Sequence, residues 1–319
     1  MSTSPTALAP VVVLAGGLSH ERDVSLRSGR RVAIALRQAG HEVIEQDVTA
    51  DLVAMLTARP GVVVFPLLHG GVGEDGALRE VLALLGVRFV GSRAEACRLA
   101  FDKSVATPLV RLAGVTTPEQ VALPHDMFRE LGAASLVRAL GERIGFPMMV
   151  KPARSGSSLG AGKVDDLEAL PAAMVGAFAY GTTAVVERFV VGSEVAVTVI
   201  DTPDGPSALP PVEIVPISGV YDYASRYTAG DTRFITPARL DDQISDACRR
   251  AALTAGRTLG LRDIYRIDLI VDEHGTPTFL EANVAPGMTE TSSTPLAIEA
   301  SGRDLGKVCS TLVQLAAAR

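Results

Sequence analysis

Hydrophobic positions along the first hundred residues alternate between two rhythms. Val11 to Gly17 (VVVLAGG) is an unbroken apolar run closed by glycines, the pattern of a strand buried on both faces. Val24 to Gly40 follows helical spacing and stops at a glycine. HEVIEQDV and GVVVFPLLHGG read as a second and a third strand, and GALREVLALLG as another amphipathic helix. This alternation predicts a parallel sheet with helices on its faces. Ligands on such sheets bind beyond the carboxyl ends of the strands, and those ends carry GGLSHERDVS and HGGVGEDG.

Further along, the rhythm changes. Residues 93–187 mix helices with short strands, most clearly in FPMMVKPARSGSSLGAGKV, a strand, a Gly/Ser loop and another strand. Residues 188–319 are strand-rich, with SEVAVTVI, PPVEIVPI and YRIDLIVDEHGTPTFLEAN, the last a pair of strand patterns flanking a DEHGT turn. An alanine-rich C-terminus suits a closing helix. The expectation is an α/β protein of three domains, residues 1–92, 93–187 and 188–319, and 319 residues do exceed one ordinary core.

Composition narrows the function classes. A chain with 47% hydrophobic and 21% charged residues is globular rather than disordered. A net charge of −6 and the absence of Trp argue against nucleic-acid and membrane partners. The N-terminus lacks the charged and apolar regions of a secretory signal, and no apolar run reaches the ~18 residues of a membrane span. Cys97, Cys248 and Cys309 are widely spaced and read as free buried thiols, so a reducing, cytoplasmic location is expected.

Four stretches could carry chemistry. Arg266 and Asp268 lie two apart on one strand of the terminal hairpin, and Glu281 and Asn283 two apart on the other. Each pair therefore shares a face. Two carboxylates and an amide oxygen suit Mg²⁺; a salt-bridged exposed face is the alternative. Lys151 ends a strand before Ser155, Gly156, Ser157, Ser158 and Gly160, small residues whose backbone N–H groups and hydroxyls can meet phosphate. A plain hairpin loop explains them equally. His69 and Glu21 occupy the ends of parallel strands. Glu21 either holds an ammonium group or caps the helix after it. GVYDYASRYTAGDTRF is either a lid over a site or an ordinary polar loop. A serine or cysteine hydrolase finds no support, since no GxSxG elbow occurs and the cysteines lack partners.

Together these stretches resemble the D-alanine–D-alanine ligase family of the ATP-grasp superfamily. The resemblance rests on AGGLSHERDVSLRSG, LHGGVGEDGALREVLALLGVRFVGS, FDKS, VKPARSGSSLGAGKV, VVERFVVGSEV, YDYASRYTAGDTRFITPA, RIDLIV and LEANVAPGMTETS, in that order. It implies an ATP-grasp fold: an N-terminal parallel α/β domain and two α+β subdomains with ATP between them. Lys103 and Lys151 then correspond to phosphate-binding lysines, and Glu187, Arg188, Phe189, Val190 and Glu194 to the adenine-ribose end. Asp268, Glu281 and Asn283 match the ligands of magnesium, or manganese in its place. Arg266 matches the arginine on the transferred phosphate. Glu21, Ser157 and Tyr227 form the hydrogen-bonded set at the first D-alanine, whose carboxylate meets His69, while Gly287 and Ser292 meet the second.

The implied reaction joins two D-alanines through an acyl phosphate, in a homodimer making peptidoglycan precursors. Arg226 replaces the usual lysine among the ATP-binding residues, Val284 and Ala285 a hydroxyl-bearing pair, Ser293 a leucine and Tyr265 a common glycine. These departures concentrate on the acceptor side. The resemblance therefore leaves open D-lactate, D-serine or another amine as acceptor, and a nucleotide-binding regulator without turnover.

Overall fold

A computed structural model describes residues 8–217 and 231–319. The chain begins with β1 (Val11–Leu14), α1 (Arg22–Gln38), β2 (Val43–Gln46), α2 (Leu52–Thr57), β3 (Val63–Pro66), α3 (Ala77–Leu84) and β4 (Arg88–Phe89). The strands form a wholly parallel sheet in the order β2-β1-β3-β4. The valine runs of β1 and β3 are buried along their whole length, because helices cover both faces of such a sheet.

Next come α4 (Ala94–Phe101), α5 (Lys103–Leu112), β5 (Gln120–Pro124), α6 (His125–Leu131) and α7 (Ala133–Ile144). They are followed by β6 (Met148–Pro152), β7 (Gly162–Val164), α8 (Leu170–Phe178) and β8 (Thr183–Arg188). The second sheet has the order β5-β8-β6-β7 and is antiparallel, with the Gly/Ser loop joining β6 to β7. Helices α7 and α8 close its core through Leu140, Ile144, Leu170 and Met174.

The remainder comprises β9 (Ser193–Thr202), β10 (Gly205–Ala208), β11 (Val212–Pro216), β12 (Thr232–Ile235), α9 (Asp242–Leu259), β13 (Ile264–Val271), β14 (Pro277–Asn283), α10 (Ser293–Ala300) and α11 (Leu305–Ala317). Its antiparallel sheet runs β12-β11-β9-β13-β14, with β10 beside β9. Val195, Val197 and Val199 of β9 pack with Ile267, Leu269 and Phe279 against α9, α4 and α5. Alternation leaves the other face of these strands to polar side chains. Helix α9 begins at Asp241, whose carboxylate accepts from Ile244 N, and ends at left-handed Gly260.

Two packings ignore chain order. Helices α4 and α5 join the core of the third sheet, and α11 covers the first, where Val308, Leu312 and Val313 meet Val32, Leu36 and Phe65. Among the described residues no helix is long and apolar enough to cross a membrane. All three cysteines are free and buried, and burial pushes the Cys248 thiol up to about 11 and Cys309 to about 12.

Candidate active site

The terminal hairpin has the register the two-residue spacing anticipates. Arg266 pairs across the strands with Asn283, and Asp268 with Glu281, so all four side chains share the polar face. That face depends on an irregularity between Asp268 and Leu269, where Leu280 is the extra residue of β14. Phe279 faces the core and Glu281, two positions on, would follow it in a regular strand. The bulge instead turns Glu281 outward while Ala282 and Val284 return to the core.

Arg266, Lys103 and Lys151 each hold an acid. The Arg266 guanidinium donates through Nε and Nη2 to the two oxygens of Asp268, at 2.6 and 2.8 Å. Lys103, at the first turn of α5, lies 3.1 Å from Glu281 Oε2 and donates to Ser155 O at 2.8 Å. Lys151 Nζ donates to Glu187 Oε1 at 2.6 Å, in a buried pair. The Asn283 amide lies 3.0 Å from Asp268 Oδ2. Among the described residues no cluster of three His, Cys, Asp or Glu side chains could hold a metal. Asp268, Glu281 and the Asn283 amide oxygen nonetheless fit Mg²⁺, which needs few protein oxygens when phosphates and waters complete its shell.

Beside this face runs a cavity of about 480 Å³, within the range of small-molecule sites. Lys103, Lys151, Asp268 and Glu281 line one part of it, while Glu187, Phe189 and Glu194 line another. Glu187 Oε2 is buried without a partner, an acceptor ready for a ligand N–H. Lys163 sits 5.2 Å from the centre of the Phe189 ring, and the side chain of Arg188 turns outward toward Glu119.

A second polar cluster lies at the carboxyl ends of β1 and β3. Glu21 stands at the N-cap of α1 but makes no capping hydrogen bond; it accepts from Ser157 Oγ at 2.5 Å. The Gly/Ser loop thus reaches the parallel sheet, with Ser157 and Ser158 in left-handed backbone at φ 51° and 56°. Gly70 and Gly156 pack around the same carboxylate; a Cβ on Gly70 would lie 2.4 Å from Glu21 Oε2. Glu74 is buried nearby. Burial, reinforced by the charge of Glu21, raises its carboxyl to about 7.

His69 has both ring nitrogens engaged, Nε2 with Ser28 Oγ at 3.0 Å and Nδ1 with Ala285 O at 2.9 Å. Ala285 O can only accept, so the imidazole proton sits on Nδ1 and Nε2 accepts from the Ser28 hydroxyl, whose oxygen also accepts from Met288 N. Burial lowers the pKa of His69, in keeping with a neutral ring. Ser28 was missed from sequence, although Glu21, Ser25 and Ser28 follow an i, i+4, i+7 stripe on α1 and both serines are fully buried. Small polar residues at core positions of an amphipathic helix were the available signal.

After β14, Ser292 precedes α10. Its Oγ accepts from Thr289 N at 3.1 Å and lies 2.7 Å from where a Gly287 Cβ would stand. Tyr265 and Ser293 are buried, and the Tyr265 ring fills the space beside Gly256. Arg226 and Tyr227 lie outside the described residues.

A family model for the D-ala D-ala ligase C-terminus matches residues 109–314. The chain is 41% identical over 310 residues to a D-alanine–D-alanine ligase of Desulforudis audaxviator, covering 96% of this chain and 98% of the relative. It is 38% identical over 307 residues to one of Anaeromyxobacter dehalogenans, covering 96% of each. The chain belongs to the D-alanine–D-alanine ligase family. Solved structures agree with this family's ATP-grasp fold. The VanG D-Ala:D-Ser ligase of Enterococcus faecalis superposes with a TM-score of 0.84 at 28% identity, covering 97% of this chain and 99% of that one. A D-alanine–D-alanine ligase of Bacillus anthracis complexed with ATP superposes with 0.79 at 24% identity, covering 97% of each.

Proposed function

We propose that this ligase joins two D-alanines at the expense of ATP. The observation that carries this reading is the Ser157–Glu21 hydrogen bond, which ties the phosphate-type loop to an acid suited to an ammonium group. Residues 1–92 then serve the first substrate, 93–187 supply the loop, and 188–319 supply the metal face and the segment containing Arg226 and Tyr227.

ATP occupies the cavity. The unpartnered Oε2 of Glu187 suits a purine amino group, Phe189 and Val190 flank the base, and Glu194 takes the ribose. Lys103 and Lys151 exchange their carboxylates for phosphate oxygens. Asp268, Glu281 and Asn283 would hold Mg²⁺, or Mn²⁺ in its place, and an ion bound there would offset charge on the phosphates. Glu21 holds the first D-alanine by its ammonium group, leaving its carboxylate free to attack the γ-phosphate. Ser157 and Tyr227 fix Glu21. His69 would meet the substrate carboxylate only after Nε2 gives up its bond from Ser28 and gains a proton, since a bare Nε2 lone pair would repel the carboxylate.

Attack yields an acyl phosphate and ADP, with Arg266 on the transferred group. The amine of the second D-alanine, oriented by Ser292, then attacks the acyl carbon. Gly287 N–H and Arg266 stabilise the oxyanion, and phosphate leaves. The product suits a cytoplasmic supply of cell-wall precursors, and the family likeness suggests a homodimer.

A second reading changes only the acceptor. Ser293 is a small buried hydroxyl at the acceptor loop, compatible with D-serine or another hydroxyl-bearing acceptor. One assay separates the readings: ATP, Mg²⁺ and D-alanine with D-alanine, D-serine or D-lactate varied as the second substrate, and products identified by mass. D-alanyl-D-alanine as the main product supports the first reading. Phosphate release only with another acceptor supports the second, and no release with any supports a regulator.

A further inference from the structure

Thr198 is the one polar side chain within residues 195–200 of β9, and it is fully buried. It stands on the polar face of the third sheet, directly across from Arg266 in the register of β9 and β13. Its hydroxyl lies 3.0 Å from that of Thr294, and either can donate to the other. Thr294 is also fully buried and sits in the first turn of α10, two residues beyond Ser292. The pair therefore joins the start of α10 to the strand that flanks Arg266.

Two valines would fill the same space with no polar atom to desolvate, and would serve a core as well. What the hydroxyls add is direction. A hydrogen bond fixes separation and angle, whereas apolar packing tolerates sliding. Ser292 makes no capping bond to α10; its Oγ is engaged with Thr289 instead, so the tie from Thr294 anchors that first turn. The other end of the same segment is held in a similar way, by Met288 N donating to the buried Ser28 Oγ of α1. Residues 287–292 thus hang between two buried hydroxyl contacts, one to α1 and one, through α10, to the third sheet.

We infer that Thr198 and Thr294 are positioning residues for the second substrate: their hydrogen bond fixes the first turn of α10, and with it Ser292, relative to Arg266. The inference rests on the proposed placement of that substrate at Ser292 and Gly287. Both threonines act through Ser292 and not by contact with substrate. Loosening the tie lets Ser292 drift, so the attacking amine is held less well against the acyl carbon. The Arg266 guanidinium itself stays bonded to Asp268, so the first step keeps its geometry.

The test uses the intact protein with ATP, Mg²⁺, D-alanine and the acceptor that the product assay identifies. Positional isotope exchange within ATP reports reversible acyl phosphate formation, and product formation reports the second step. Thr198→Val and Thr294→Val should each raise the KM of the second substrate about fivefold, the factor of one net hydrogen bond, with exchange in ATP unchanged. The double variant should regain the melting temperature of the parent, because no hydroxyl is left unpaired, yet keep the raised KM. Thr198→Ser should return the KM to within about twofold of the parent. Should Thr198→Val not fold, Thr294→Val and Thr294→Ser make the same comparison from the helix side. A KM that stays at the parent value, or recovers with the melting temperature in the double variant, reduces the pair to packing and overturns the inference. So does an equal loss of both steps. Absence of exchange in the parent overturns the proposed function itself, and the inference with it.

Discussion

His69 is buried and accepts a hydrogen bond from Ser28 at Nε2, and burial disfavours a second ring proton. Its pKa is held below 6.5, and the unfolded chain therefore takes up a proton that the folded chain refuses. Stability from this residue is full above about pH 6.5 and falls as the pH drops below it. Glu74 acts in the opposite sense. Its carboxyl rises from 4.5 to about 7, so its contribution is full below about pH 4.5 and is lost as the pH climbs to 7. Glu74→Gln should stabilise the protein at pH 8, on the order of 3 kcal/mol, and remove the part of the slope between about pH 4.5 and 7 that Glu74 supplies. Melting temperatures between pH 5 and 8 check this; a profile parallel to that of the parent would show Glu74 ionised throughout. Gly70 gives a second prediction. Its φ of 68° is left-handed, and a Cβ would press on Glu21 Oε2. Gly70→Ala should raise the KM for the first amino acid at least about tenfold, some 1.4 kcal/mol, with ATP affinity unchanged. Equal weakening of both would place the damage in the fold rather than at Glu21.

The hairpin β13–β14 shows at the level of elements what the sequence could and could not convey. The spacing of Arg266, Asp268, Glu281 and Asn283 was enough to put each pair on one face, and the DEHGT turn made the pairing antiparallel. The bulge at Leu280 had no signature, because a leucine is an ordinary strand residue and a bulge is defined only by its partner strand. Helix α9 lay inside a stretch that read as strand-rich. Its core face is built from Cys248, Ala251, Ala252 and Ala255, which make a weaker apolar stripe than leucines, although Asp241 and Gly260 do mark its ends. The capping alternative for Glu21 could be excluded only by a serine 136 positions away. In the proposed function the hairpin would also set the order of ligand binding. Asp268 and Glu281 are already paired with Arg266 and Lys103, so a metal alone must compete with both cations. Phosphate oxygens of bound nucleotide would draw those cations off. Calorimetry should therefore detect no saturable Mg²⁺ binding at millimolar metal without nucleotide, and clear binding with a non-hydrolysable ATP analogue. Tight binding of Mg²⁺ alone would contradict this coupling.

Across the whole molecule, the cores do not follow the chain. The three sheets succeed one another in sequence, as the rhythm of strands and helices suggested. Yet α4 and α5 complete the third core, while α11 completes the first. Arg319 adds a polar tie, donating to Asp263, which also accepts from Gly91 N at 2.6 Å. Residues 8–92 expressed alone should therefore lack a cooperative melt, since Val32, Leu36 and Phe65 lose their cover. Circular dichroism on heating measures this, and a sharp transition in the fragment would show the first sheet to be self-sufficient. The placement of α11 has a bearing on how the protein is made. On the ribosome the valine-rich strands of the first sheet emerge long before the helix that shields them. Until then those strands are exposed and prone to sticking, so the yield of active ligase in a cell should depend on translation speed and chaperone supply as much as on final stability.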